Sequence, residues 1–273
     1  MNYSHQTWRL LITPPSRGAW NMAVDEALLE SVTQNLSLPC LRLYAWQPPC
    51  LSIGYAQPSS DIDQANLSHF DWEWVRRPTG GRAILHTDEL TYSVIASLTE
   101  PRVKGSVLES YQRLSEPLLT ALQTLNIPAA ANPISPGSQQ NAPVCFEAPS
   151  NYEIVAHGKK LMGSAQARRK QGVLQHGTLP LWGDLTRITK VLVYADEGQR
   201  QDAAVRLFSH ATTVEEILGY KIDWQMVVQA FIKGFQSALN IEFIRKDLSG
   251  QEKMRAEQLV HYKYTHTSWL DRL

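Results

Sequence analysis

The sequence predicts an α+β domain with a mixed, largely antiparallel sheet flanked by helices. Three observations carry that expectation: short strand-like runs broken by Gly and Pro turns, amphipathic helical patterns around them, and an apolar content sufficient for one large core. The chain has 273 residues, 43% of them hydrophobic, and 26 basic residues balance 26 acidic ones. This size suggests a catalytic domain over 1–212 and a helical C-terminal extension over 213–273. Zero formal net charge, with no basic tail or acidic run, gives no electrostatic reason to expect nucleic acid or a membrane surface as partner. The start, MNYSHQTWRLL, lacks the pattern of a signal peptide, and no apolar run is long enough to cross a bilayer, so a cytoplasmic protein is expected. Cys40, Cys50 and Cys145 are too few and too irregularly spaced for a disulfide framework or a zinc site, and read as reduced thiols.

Residues 8–12, WRLLI, read as a strand. After Pro14, Pro15 and Gly18 a helix is expected, with Trp20, Val24, Ala27, Leu28 and Val32 on its apolar face and Asn21, Asp25 and Glu30 on its polar one. LRLYAW and LSIGYA, separated by Pro48 and Pro49, suggest a hairpin. WEWVRR, the turn PTGG, RAILH and LTYSVIAS then suggest antiparallel sheet. Ser106 and Glu109 form a capping box ahead of a helix through Leu125, which Pro117 is expected to kink or to restart from Ser115. Residues 128–143, rich in Pro, Ala, Ser, Asn and Gln, read as a mobile loop. Three strands follow, NYEIVA, KLMGSAQARR and VLQHGTLPL, with turns at His157-Gly158 and Gln171-Gly172. The remainder reads as helical, with an amphipathic segment after Asp223 and a capped one from Ser249 and Glu252.

Some of these residues suit chemistry. In RRPTGGRAILH, Gly80 and Gly81 lie among Arg76, Arg77 and Arg82. Paired glycines admit close backbone approach, and guanidiniums suit phosphate or carboxylate. The spacing is neither a Walker loop nor a dinucleotide fingerprint, and a plain hairpin turn fits it as well. Lys160 opens a strand, where a lysine is ordinarily a surface charge. Cys145 follows the flexible loop, which would give a nucleophile access, whereas Cys40 and Cys50 read as core thiols. His86, His157 and His176 show no metal-ligand spacing.

Read together, five segments resemble the lipoate-protein ligase and octanoyltransferase family, which shares its catalytic fold with biotin protein ligases. They are NMAVDEALL, SIGYAQ, RRPTGGRAILH, GKKLMGSAQARR and LQHGTLPL, in the family's order. The resemblance implies that Arg76, Arg77, Thr79, Gly80, Gly81, Arg82 and His86 belong to the acyl-binding loop. It also implies that Gly163, Ser164, Ala165, Gln166, His176 and Gly177 line the same site, and that Lys160 faces the acyl carbonyl. CFEAPSNYEI resembles the segment holding the catalytic cysteine in the LipM type of octanoyltransferase, which places Cys145 as the nucleophile. The implied reaction takes an octanoyl or lipoyl group from acyl carrier protein to a lysine of a lipoyl carrier domain, such as glycine cleavage H protein. No cofactor is then needed. An ATP-dependent lipoate ligase, using ATP and Mg, is the alternative, and a non-catalytic binding module is a third reading, against which the presence of both Cys145 and Lys160 argues.

Overall fold

A computed structural model describes residues 3–132, 144, 153–169 and 171–272. Cys145 lies outside these residues, as do 133–143 of the loop expected over 128–143. The first half runs β1 (Gln6–Ile12), α1 (Gly18–Thr33), β2 (Cys40–Tyr44), β3 (Cys50–Ile53), α2 (Gln64–His69), β4 (Glu73–Arg76), β5 (Ile84–His86), β6 (Glu89–Ser97) and α3 (Val107–Thr124). Then come β7 (Ala129–Asn132), β8 (Glu153–Ala156), β9 (Lys159–Arg169) and β10 (Gly172–Pro180). The chain continues through α4 (Glu197–His210), α5 (Val214–Leu218), α6 (Trp224–Leu239), β11 (Ile241–Arg245), α7 (Gly250–Leu259) and α8 (Thr267–Leu270).

Two sheets organise the molecule. The larger has the order β11-β1-β2-β6-β10-β9-β8-β7, and the smaller has the order β4-β3-β5. In the larger sheet β1 pairs in parallel with β11 and β2, and the remaining pairings are antiparallel. The predicted α+β class with a mixed, largely antiparallel sheet is therefore the observed one. One core lies where α3 and α6 cover the large sheet, around Leu43, Tyr92, Leu118 and Phe231. A second joins α1 and the C-terminal helices to the sheet, and a third sits behind the small sheet.

Local sequence explains the elements. Ser106 and Glu109 form the capping box of α3. That helix runs unbroken through Pro117, so no restart occurs at Ser115, whose hydroxyl bonds back to the Gln112 carbonyl at 2.7 Å. Across the interface, Gly234 of α6 packs so tightly on the Pro117 carbonyl and Ala121 that a side chain at 234 has no room. His157 and Gly158 both have positive φ, +49° and +77°, which makes the tight β8–β9 turn. Cys40 and Cys50 are buried core thiols, and burial pushes the Cys40 thiol up to about 12.

Several expectations fail for tertiary reasons. LRLYAW and LSIGYA do not form a hairpin, because β2 joins the large sheet and β3 the small one. β3 and β4 run parallel, so the segment from Trp72 is not wholly antiparallel. Ala129–Asn132 is not loop but strand β7, paired with β8. The tail is not all helix, since β11 closes the edge of the large sheet beside β1. The polar face expected for α1 is in part turned inward: Asn21 and Asp25 are both fully buried.

Candidate functional site

Between the two sheets lies a cavity, open at a mouth and lined mostly by apolar surface. The large sheet forms one wall, with Gly163, Ser164 and Ala165 from β9 facing His176, Gly177 and Thr178 from β10. The small sheet and the loop before β5 form the other, through Ser52, Arg77, Gly81, Ile84 and His86. Met22 of α1, Tyr44 and Trp46 complete it.

Gly177 sets the shape of the first wall, because a Cβ there would lie 2.5 Å from Ser164 Oγ and 2.7 Å from the Tyr92 ring. Those two groups bond each other at 2.8 Å. In the second wall, Gly54 lets the Gly81 carbonyl approach its backbone more closely than any side chain would permit. Arg77 threads this loop, donating to the Gly80 carbonyl at 2.8 Å, the Arg82 carbonyl at 2.7 Å and Ser52 Oγ at 3.1 Å. Its role is thus partly to hold the TGG turn in shape.

A polar chain runs behind the cavity surface. His86 Nδ1 meets Glu89 Oε1 at 2.6 Å, Nε2 meets Ser52 Oγ at 2.8 Å, and the ring stacks on Trp46 with centroids 3.9 Å apart. His176 Nε2 meets Thr79 Oγ1 at 2.6 Å, and Nδ1 lies 3.5 Å from Asp25 Oδ2. Burial lowers the His176 pKa, so the ring is neutral at pH 7, with the Nδ1–H directed at Asp25 and Nε2 accepting from Thr79. Burial alone would raise the pKa of Asp25, but the Arg42 guanidinium at 2.7 Å and His176 outweigh it and hold the carboxyl below its ordinary value. Tyr44 and Ser93 hydroxyls add bonds of 3.0 and 2.9 Å to the same carboxylate.

Of the residues singled out in the sequence, Arg77, Gly81, His86, Gly163, Ser164, Ala165, His176 and Gly177 meet at the cavity, and Thr79 supports it through His176. Others do not line it. Arg76 is fully buried and directed at the C-terminus, donating to the carbonyls of Trp269, Leu270 and Gly54. Gly80 lies exposed at the tip of the turn. Arg82 lines a separate outer groove with Tyr194 and Arg206. Gln166 is tied to Ser110 and Gln175. Lys160 is no surface charge: it is 4% exposed and forms an ion pair with Glu153, three residues along β9 from Gly163. Sequence reasoning missed Ser52, Asp25, Glu89, Trp46 and Thr178. Thr178 stands two residues beyond His176 on one strand, so strand alternation carried a signal for it.

Comparison with known proteins agrees with this geometry. The Lipoyl protein ligase A/B catalytic domain family matches residues 17–236. The chain belongs to this family. It is 38% identical to octanoyltransferase LipM of Carboxydothermus hydrogenoformans, over 98% of this chain and 99% of that one. With octanoyltransferase LipM of Bacillus subtilis it shares 35% identity over 97% and 98%. Among solved structures, the bipartite lipoate protein ligase of Thermoplasma acidophilum superposes with a TM-score of 0.83 at 25% identity, covering 98% of each chain. An ATP-bound lipoate-protein ligase A gives 0.78 at 25% identity, covering 97% of this chain and 98% of that one. Within the lipoyl ligase family fold, the five motifs read from the sequence surround the cavity or brace it.

Proposed function

We propose that this chain is an octanoyltransferase of protein lipoylation, acting in the cytoplasm. It takes the acyl group from acyl carrier protein and passes it, through a thioester on Cys145, to a lysine of a lipoyl carrier domain. The observation that carries this reading is the cavity between the sheets, whose apolar lining suits an alkyl chain. Burial of each methylene contributes roughly 0.8 kcal/mol, so an eight-carbon tail gains on the order of 5 kcal/mol there. The LipM relatives support the octanoyl group.

The chemistry proceeds in two balanced steps. A thiolate attacks the carbonyl of the carrier-bound thioester, the carbon–sulfur bond to the carrier breaks, and the carrier leaves as a thiolate as the cysteine becomes acylated. The acceptor lysine, its amine deprotonated from a reference pKa of ~10.4, then attacks that thioester; an amide forms and the cysteine thiol is released. Lys160, close to the cavity along β9, supplies positive charge for the oxyanion of both steps. Val144, the residue before Cys145, is buried and bridges Ala83, whose neighbour Ile84 lines the cavity.

The likeness to an ATP-bound ligase favours a second reading, activation of free acid with ATP and Mg. Apo lipoyl domain offered octanoyl carrier protein alone, or octanoate with ATP and Mg, separates the two. Transfer from the carrier protein without ATP is expected. A strict ATP requirement with AMP release contradicts it, and no labelling from either donor points to a non-catalytic module.

A further inference from the structure

One buried side-chain polar atom of the cavity wall has no hydrogen-bond partner among the described residues. Thr178 is 1% exposed, lines the cavity, and its Oγ1 bonds to nothing among the described residues. Its neighbours explain why. Directly opposite on β6, Thr91 spends its hydroxyl on Glu89 at 2.5 Å and accepts from Trp46 Nε1 at 2.8 Å. Directly opposite on β9 stands Gly163, which has no side chain to offer. The nearby Ser52 and Tyr44 hydroxyls are by contrast paired, with His86 and Asp25.

A buried hydroxyl left unpaired costs stability, and such a group in a folded protein calls for an explanation. An alkyl chain filling the cavity would exclude water and make the cost larger, unless the ligand itself supplied an acceptor. An octanoyl group has one acceptor, its carbonyl oxygen. Resting on the acyl-transfer reading above, we infer that Thr178 donates a hydrogen bond to the acyl carbonyl of the substrate. Register agrees: of the three β10 residues lining the cavity, Thr178 pairs with the β9 residue nearest Lys160, since Gly163, Ser164 and Ala165 lie opposite Thr178, Gly177 and His176. Thr178 therefore stands at the Lys160 end of that wall, where charge develops on the carbonyl during attack. A donor aimed at that oxygen strengthens as it becomes an oxyanion.

The test compares Thr178→Val, which keeps the shape and loses the hydroxyl, with Thr178→Ser, which keeps the hydroxyl. Transfer from octanoyl carrier protein to apo lipoyl domain is measured alongside calorimetric binding of octanamide, a carbonyl-bearing chain that requires no chemistry. Thr178→Val is expected to lower kcat/KM about tenfold or more and to weaken octanamide binding by about threefold or more, with Thr178→Ser close to wild type in both. The Val variant should melt at or above the wild-type temperature, because it removes an unpaired buried hydroxyl; a merely structural threonine would lower it. Equal transfer and equal octanamide binding by wild type and the Val variant overturn the inference. Hydroxyl-dependent octanamide binding in a wild-type protein that transfers no octanoyl group upholds the carbonyl contact and rejects the reaction instead.

Discussion

A methyl group added at Gly81 meets Arg77 Nη2 at 2.9 Å on a backbone whose φ is +91°, whereas one added at Gly80 meets nothing within 4 Å. The two glycines of the TGG turn therefore carry different burdens, although the sequence suggested that both admit close approach. Gly81→Ala is expected to lose about 1–3 kcal/mol of stability from the left-handed backbone and to disturb the Arg77 bonds that hold the loop. Gly80→Ala should stay within about 0.5 kcal/mol of wild type, as an open surface change does. Urea denaturation of both variants checks this, and equal losses would reject the assignment. Arg76 and Arg77 show the same limit of sequence: adjacent guanidiniums, one turned to the cavity loop and the other to carbonyls at the end of the chain. Residue type marked both as anion binders, and only the strand pleat and the tail decide between them.

Helix α1 is docked by charge as well as by apolar packing, through the buried Asp25–Arg42 pair and its link to His176. Asp25 and His176 both have folded pKa values below their ordinary ones. For each, the linked stability is fully present above the unfolded value and declines as pH falls through the folded one. The His176 contribution thus begins to fall near pH 6.5, and that of Asp25 near pH 4. Wild-type melting temperature should drop as pH falls from 7 to 5, and His176→Gln should flatten that part of the profile. An unchanged slope in the variant would place the acid sensitivity elsewhere. Much of this level was legible in advance: the strand-like runs of β6 and β10, both capping boxes and the His157-Gly158 turn are local signals, and local signals survive folding. The buried polar face of α1 was not legible, because Asn21 and Asp25 look solvated until Arg42 from β2 is brought beneath them.

The whole molecule is tied together by its two ends. β11 pairs with β1, Arg9 of β1 bonds Glu252 of α7 at 2.7 Å with both side chains buried, and Arg76 grips the carbonyls of α8. No local pattern announces a parallel pairing between strands from opposite ends of a chain, so the tail read as helices alone. Residues 213–273 were expected as a helical extension; we propose instead that the segment after Leu239 is integral to the catalytic fold. A chain ending at Leu239 should lose cooperative thermal unfolding, because it bares the β1 edge, strips the buried Arg9 of its Glu252 carboxylate and removes the α8 carbonyls that Arg76 holds. A cooperative melt near the wild-type temperature would mark the tail as separable. At this scale we propose that the cavity, Lys160 and Cys145 act together in acyl transfer through a thioester. Intact-mass spectrometry of the protein incubated with octanoyl carrier protein alone tests it most directly. A single octanoyl adduct on Cys145 that hydroxylamine removes and apo lipoyl domain accepts is expected; an unmodified cysteine in a protein that still transfers octanoate with ATP would overturn the thioester route.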